Sequence, residues 1–407
     1  MADETSRSWL GFSWPVWLLG GVSLLTDAAT EAVYPLLPFF LTHVLGAGAL
    51  SLGLIEGVAE ATSGVLKIVS GRLSDRWNRR KPIVVSGYSL SSIARPFIGL
   101  AHAWPTVLGL RFLDRIGKGV RSAPRDAMLA GMADPANWGR VYGLHRAMDN
   151  AGAVVGPLLA TLFLLGYPGR YRTLFALTAI PGAAAVLLLL RVQESDSMRP
   201  AKETAKIASA AAPERELIRG LPPALFRYLV VLLVFTLGNS TDAFLLLRLT
   251  DVAGGPKFIP VLWALLHVVK SSLTVVGGSL SDRLGRRTLI AGGWLVYALV
   301  YAGFAASETL PALVTWFLVY GVYFGLTEGT ERALIADLAP AALRGSAFGI
   351  YNAVTGLGAL LASVVFGLIW NQFGTAAAFG SGAALALLAT ILLIVAVPSP
   401  TTGSARS

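Results

Sequence analysis

Gly71-Arg-Leu-Ser-Asp75-Arg76-Trp-Asn-Arg79-Arg80 decides the fold, because the chain says it twice: Gly278-Ser-Leu-Ser-Asp282-Arg283-Leu-Gly-Arg286-Arg287 repeats it at an offset near 206. Two further registers agree in the same order. Gly139, Gly143, Ala147 and Gly152 are answered by Gly345, Gly349, Ala353 and Gly358, and Thr26-Asp27-Ala28 is echoed by Thr241-Asp242-Ala243. Self-similarity over this length means that one structural unit is built twice in a single chain.

The residues around these charged turns belong in lipid. Of 407 residues 55% are apolar and 14% charged, and the mean hydropathy is +0.65, whereas a soluble domain carries about a quarter charged residues. Apolar runs near or above the roughly 18 residues needed to cross a bilayer recur between short polar turns. They cover 14–40, 48–70, 83–101, 104–123, 141–166, 171–191, 226–249, 258–281, 289–306, 311–333, 345–370 and 374–397. These two sets of six predict an all-α membrane protein of twelve transmembrane helices in two pseudo-symmetric six-helix bundles. Residues 192–222, with Glu194, Asp196, Lys202, Glu203, Lys206 and the stretch Ala208 to Ala212, form the longest polar segment. They are read as the linker between an N-terminal bundle, 14–191, and a C-terminal bundle, 223–397, with tails at 1–13 and 398–407.

A net charge of +10 invites a nucleic-acid reading, but its distribution argues otherwise. Basic residues crowd alternate loops: Arg72, Arg76, Arg79, Arg80 and Lys81, then Lys118, Arg121, Arg125 and Arg140, the linker, and Arg283, Arg286 and Arg287. The opposite connections, 42–49, 101–105 and 306–311, carry no Lys or Arg, with Arg170, Arg172 and Lys257 as exceptions. The positive-inside rule then places both termini in the cytoplasm of a multi-pass protein of the cell inner (plasma) membrane. The partner is the lipid bilayer and not a polyanion. The absence of Cys removes disulfides, thiolate metal sites and cysteine nucleophiles; no metal and no cofactor is expected. Residues 1–13 lack a basic region with a cleavable small-residue site, so no removable signal peptide is read there. A monomer is expected, though no residue pattern fixes the oligomeric state.

The loop Gly71 to Arg80 resembles the G-x-L-x-D-R-x-x-R-R signature of the major facilitator superfamily, and the second copy sits where that superfamily often carries a weaker one. The resemblance runs from Trp14 to Val397 and implies a secondary transporter that moves a small solute by alternating access, with substrate near mid-membrane between two halves. In that family Asp75 bridges toward the start of the eleventh helix, here Arg344 to Ser346. Gly71, Asp75, Arg76, Arg79 and Arg80, with Gly278, Asp282 and Arg283 in the repeat, are thus the expected gating residues. A carboxylate at a helix start gains from unsatisfied amides; the plainer reading of the arginines is that they only enforce topology.

Two helices depart from the family pattern in ways that matter. In the fourth, Arg111-Phe-Leu-Asp114-Arg115-Ile-Gly117 resembles R-x-x-q-G-x-G, with Asp114 for Gln and Arg115 for Gly. Asp114 and Lys118 are spaced to pair on one face, and Arg111 is expected to tune a nearby carboxylate. In the fifth, Gly143, Gly152 and Gly156-Pro157 resemble the antiporter signature of drug/proton exchangers, with Ala160 and Thr161 in place of its last two glycines. That resemblance, with Tyr34-Pro35-Leu-Leu-Pro38 in the first helix, implies efflux by antiport.

Proton coupling needs a carboxylate whose surroundings oppose its charge. Asp27 and Glu31 lie one turn apart in the first helix, with Asp27 near mid-bilayer, and Glu56 and Glu60 repeat the spacing in the second. These four, with Arg111 and Asp149, form the expected proton path. The competing view is that the acids permanently neutralise Arg111, Arg146 or Lys67. Arg146, Asn150, Asn239, Asp242, His267 and Lys270 are the expected cavity residues, and their mixed signs leave the substrate's charge open. Arg146, His267 and Lys270 suit an anion and the acids a cation, so a proton symporter importing an organic anion or metabolite stands beside the exporter. An enzyme or primary pump would need a nucleophile elbow, a zinc-helix motif, a nucleotide loop or a large extramembrane domain, and none is present in the sequence.

Overall fold

The computed structural model describes residues 8–9, 11–76, 80–132, 137–193, 221–340 and 343–398. Arg79, most of the 192–222 linker and the outermost tail residues lie outside that set. A two-strand antiparallel hairpin, Ser8–Trp9 with Phe12–Ser13, leads into the helices. α1 is Trp14–Val33 and runs on through a tight turn at Tyr34–Leu36 and a wide one at Phe40–Val44. Then come α2, Ala49–Arg76; α3, Lys81–Phe97; α4, Trp104–Ala130; α5, Trp138–Gly166; α6, Tyr171–Leu177; and α7, Ala179–Leu190. The remainder is α8, Pro223–Gly238; α9, Ala243–Ala253; α10, Ile259–Leu284; α11, Arg286–Ala306; α12, Leu310–Leu338; and α13, Arg344–Ala396. α13 is two helices joined at Gly374, whose φ of 85° and ψ of 177° end one and start the next.

Among the described residues nine segments are long and apolar enough to span a bilayer. The difference from twelve has a physical origin. α4 carries Arg111, Asp114, Arg115, Lys118 and Arg121, too many charges for an apolar window. The apolar part of α10 is short, Ile259–Thr274, and Ala347–Ala396 counts once although it turns at Gly374. Outward faces are apolar: Leu158, Leu159, Leu162 and Leu165 on α5, and Ile180 and Leu187 on α7, are exposed. Such surfaces are stable only against hydrocarbon, and a helix is the element that leaves no backbone group wanting there.

The chain forms two compact units. The first gathers the described residues of Met1–Ala47, Val58–Ala211 and Pro256–Ala264. Within it α1 packs most extensively on α5, and α3 on α4 and α7. Glycine makes the first contact possible: a Cβ on Gly152 would strike the Leu24 carbonyl, and one on Gly156 the Ala28 carbonyl. Gly143 has nothing within 4 Å, so the first glycine of the expected pattern plays no part in that packing. α3 and α4 close in the same manner where Gly87 meets Gly117.

The second unit gathers the described residues of Gly48–Gly57, Ala212–Gly255 and Leu265–Ser407, with α13 packed on α8 and α11. Its core is aromatic. Phe235 stacks on Trp294 at 4.3 Å between centroids, Tyr297 on Tyr301 at 4.2 Å, and Tyr320 on Tyr323 at 5.6 Å. Pairs of this kind add about 0.5–1.5 kcal/mol each beyond area burial.

Candidate functional site

Four-residue spacing places Ser23, Asp27 and Glu31 on one face of α1. Ser23 hydrogen-bonds the Asp149 carboxylate of α5. Asp149 also faces His145 Nδ1 at 3.7 Å and Arg146 Nη1 at 3.9 Å. Glu31 Oε2 accepts a hydrogen bond from Trp263 Nε1 at 2.8 Å, and Tyr34 lies 5.1 Å from the Trp263 ring. Asp27 stands between them. Its electrostatic neighbours are Asp149, Lys118, Glu31 and Arg121, yet no described residue makes an ion pair or hydrogen bond with it.

α4 supplies the positive side. Arg111 sits over the Tyr34 ring at 5.7 Å and 3.7 Å from Asp114. The expected Asp114–Lys118 pair does not form: Asp114 turns to α3, where Arg95 Nη2 meets Oδ1 at 3.1 Å. Lys118 instead has Arg115, Glu60, Lys67 and Asp27 as neighbours. The carboxylate can satisfy two guanidiniums that way, both buried with it at 3–4% side-chain exposure. Arg121 donates to Ser91 Oγ at 2.7 Å and lies 4.3 Å over Tyr88. Glu60 reaches Arg115 at 3.8 Å with half its side chain exposed, whereas Glu56, one turn away, is buried. Arg146 is exposed and Asn150 half-buried.

The second unit repeats the acid but not the backbone. Asp27 lies inside a continuous helix, while its counterpart Asp242 follows a break: α8 ends at Gly238 and α9 starts at Ala243. Side chains hold the gap. Tyr320 Oη donates to Asp242 Oδ1 at 2.7 Å, Asn239 Nδ2 to Tyr323 Oη at 3.2 Å, and Ser240 shares a hydrogen bond with Tyr301 at 3.1 Å. Lys270 meets Glu328 at 3.4 Å and lies 4.1 Å over the Phe324 ring. His267 is half-buried on α10.

Of the gating residues, Asp75 and Arg76 fall on α2, and Gly278 and Asp282 on α10, with side chains outside the described part of the structure. A Cβ on Gly71 would lie 3.5 Å from that of Ala123, an ordinary contact. Arg80 donates to the Ala127 carbonyl at 3.2 Å, and Arg283 is exposed at the end of α10. Arg95 and Ser23 were missed by sequence reasoning. For Arg95 the signal existed: a lone arginine in an apolar run must find a partner.

Helices with apolar exteriors and charged, internally paired side chains define a multi-pass integral membrane protein. The chain belongs to the Major Facilitator Superfamily, whose family model matches residues 19–269 and 264–407, and it is a transporter of that superfamily. It is 32% identical over 385 residues to an uncharacterized MFS-type transporter of Methanocaldococcus jannaschii, covering 93% of this chain and 94% of that one. It is 27% identical to the multidrug resistance protein MdtH of Edwardsiella ictaluri, over 83% of this chain and 82% of the relative. Among solved structures, the nucleoside transporter NupG superposes with a TM-score of 0.74 at 14% identity, over 94% and 98% of the two chains. A D-xylose-proton symporter gives 0.71 at 18% identity, over 95% and 97%. At these identities the structural likeness speaks to fold alone.

Proposed function

We propose that this transporter exports small organic compounds in exchange for protons. The observation that carries the reading is Asp27: a carboxylate midway along α1, flanked by Glu31 and Asp149, with no direct partner among the described residues. An acid so placed is available to a proton or a cationic substrate, and two acids in one field resist simultaneous ionisation. The packed Gly152 and Gly156 and the multidrug resistance relatives support the outward direction. In this reading α4 and α10 also cross and α13 crosses twice, giving twelve passes. Both termini face the cytoplasm from the cell inner membrane, Asp75 latches a gate, and the monomer works without nucleic acid, cofactor or enzymatic turnover.

A second reading, proton-coupled import of an organic anion, is favoured by one feature. Arg95, Arg111, Arg115 and Arg121 place four buried guanidiniums along α3 and α4, a concentration of positive charge that suits an anion. One experiment separates the two. Purified protein in proteoliposomes, given an imposed pH gradient and a lipophilic cationic dye, should move dye against the proton flux, and Asp27→Asn should abolish that movement. Dye flux indifferent to the gradient, or unchanged by Asp27→Asn, refutes the proposal; anion uptake along the proton flux supports the second reading.

A further inference from the structure

The second unit buries a carboxyl that none of the paired charges explains. Glu331 of α12 is 7% exposed. Its Oε1 accepts a hydrogen bond from Trp294 Nε1 of α11 at 3.0 Å, and its Oε2 from Tyr351 Oη of α13 at 3.2 Å. Both donors are neutral. The contrast with Glu328, one turn earlier, is direct: Glu328 has Lys270 of α10 at 3.4 Å. Arg332 follows in sequence, but its side chain is exposed, and no described residue forms an ion pair with Glu331. The titratable and charged groups around it are Tyr228 on α8, Tyr351 on α13, and Tyr323, Glu328 and Arg332 on its own helix. α11 adds none. Among these Tyr228 is fully buried, and its Oη has no hydrogen-bond partner.

An ionised carboxylate inside a dry aromatic wall loses its hydration, and two neutral hydrogen bonds restore only part of it. A metal cation is a poor remedy here. Trp294 and Tyr351 present hydrogens to the carboxylate, and Trp294 is pinned in that pose by the Phe235 ring stacked 4.3 Å away at 5°. A proton is a better one, because the acid form carries no charge to leave unhydrated. We propose that Glu331 is a proton-binding carboxyl of the second unit, taking up and releasing a proton in the transport cycle. The proposal rests on the proton-coupled reading above and assigns a second titrating position, apart from Asp27.

The test uses full-length protein in lipid. Infrared difference spectra across a pH jump should show the C=O band of a buried protonated carboxyl, and Glu331→Gln should delete it. Glu331→Gln should also reduce gradient-driven movement of the cationic dye to the leak of protein-free liposomes. Spectra identical to wild type, or wild-type gradient-driven flux, overturn the assignment. If Glu331→Gln is not recovered folded, Glu331→Asp keeps a carboxyl and must move the band; an unmoved band overturns the assignment equally. Wild-type dye flux that ignores the gradient sinks the antiport reading. The infrared band does not depend on flux, so the two failures are read separately.

Discussion

Asp114→Asn tests whether the buried charges of the first unit are built as one set. Asp114 meets Arg95 at 3.1 Å and Arg111 at 3.7 Å, all three side chains being 3–4% exposed. Asparagine keeps the shape and removes the charge that both guanidiniums face in low dielectric. Breaking one partner out of a buried pair costs about 3–5 kcal/mol. With roughly 2–4 °C per kcal/mol for a unit of this size, the melting midpoint should fall by about 6–20 °C. Glu60→Gln is the control: its contact with Arg115 is 3.8 Å and its side chain is 51% exposed. Solvent that reaches the Glu60 carboxylate screens the pair, so this shift should be clearly the smaller of the two. Replacing Arg95 and Asp114 together by Met and Leu should recover the Arg95 share of the loss, since apolar packing substitutes well for a buried pair, and leave the Arg111 share. The assay is thermal unfolding in detergent followed by tryptophan fluorescence. Equal shifts for Asp114→Asn and Glu60→Gln would refute the reasoning.

Four further substitutions probe other links. Gly156→Leu forces a side chain into the Ala28 backbone and should cost about 1–3 kcal/mol or more, while Gly143→Leu, with open space, should stay within about 0.5 kcal/mol of wild type; comparable melting shifts would contradict the packing. Gly374→Ala meets no neighbour but must hold φ 85° and ψ 177°, so its cost of about 1–3 kcal/mol is backbone strain alone; an unchanged melting midpoint would show that the turn relaxes. Asp75→Asn is expected to reach the membrane at wild-type levels and lose dye transport, and wild-type uptake kinetics would exclude a gating role.

Hydropathy and the doubled loop revealed most of the fold because lipid imposes a single length and a single polarity on every crossing element. Even the turn at Gly374 falls where two apolar runs were separated. The site was less legible, since partnership is decided by tertiary neighbours. Nothing in α4 announces that Asp114 faces Arg95 and not Lys118, and the Glu31–Trp263 hydrogen bond joins residues 232 positions apart. The break between α8 and α9 falls within a run, 226–249, that reads as one helix. Asn239-Ser-Thr-Asp242 was its signal, four residues whose side chains compete for backbone hydrogen bonds.

That break makes the seventh hydrophobic run unlike a rigid rod. The side chains of Asn239, Ser240 and Asp242 bind the hydroxyls of Tyr323, Tyr301 and Tyr320, so the orientation of this unwound link is tied to three phenols and not to a helical ladder. Trimming any one of those phenols to phenylalanine removes a tether from the link while leaving the windings of α8 and α9 untouched.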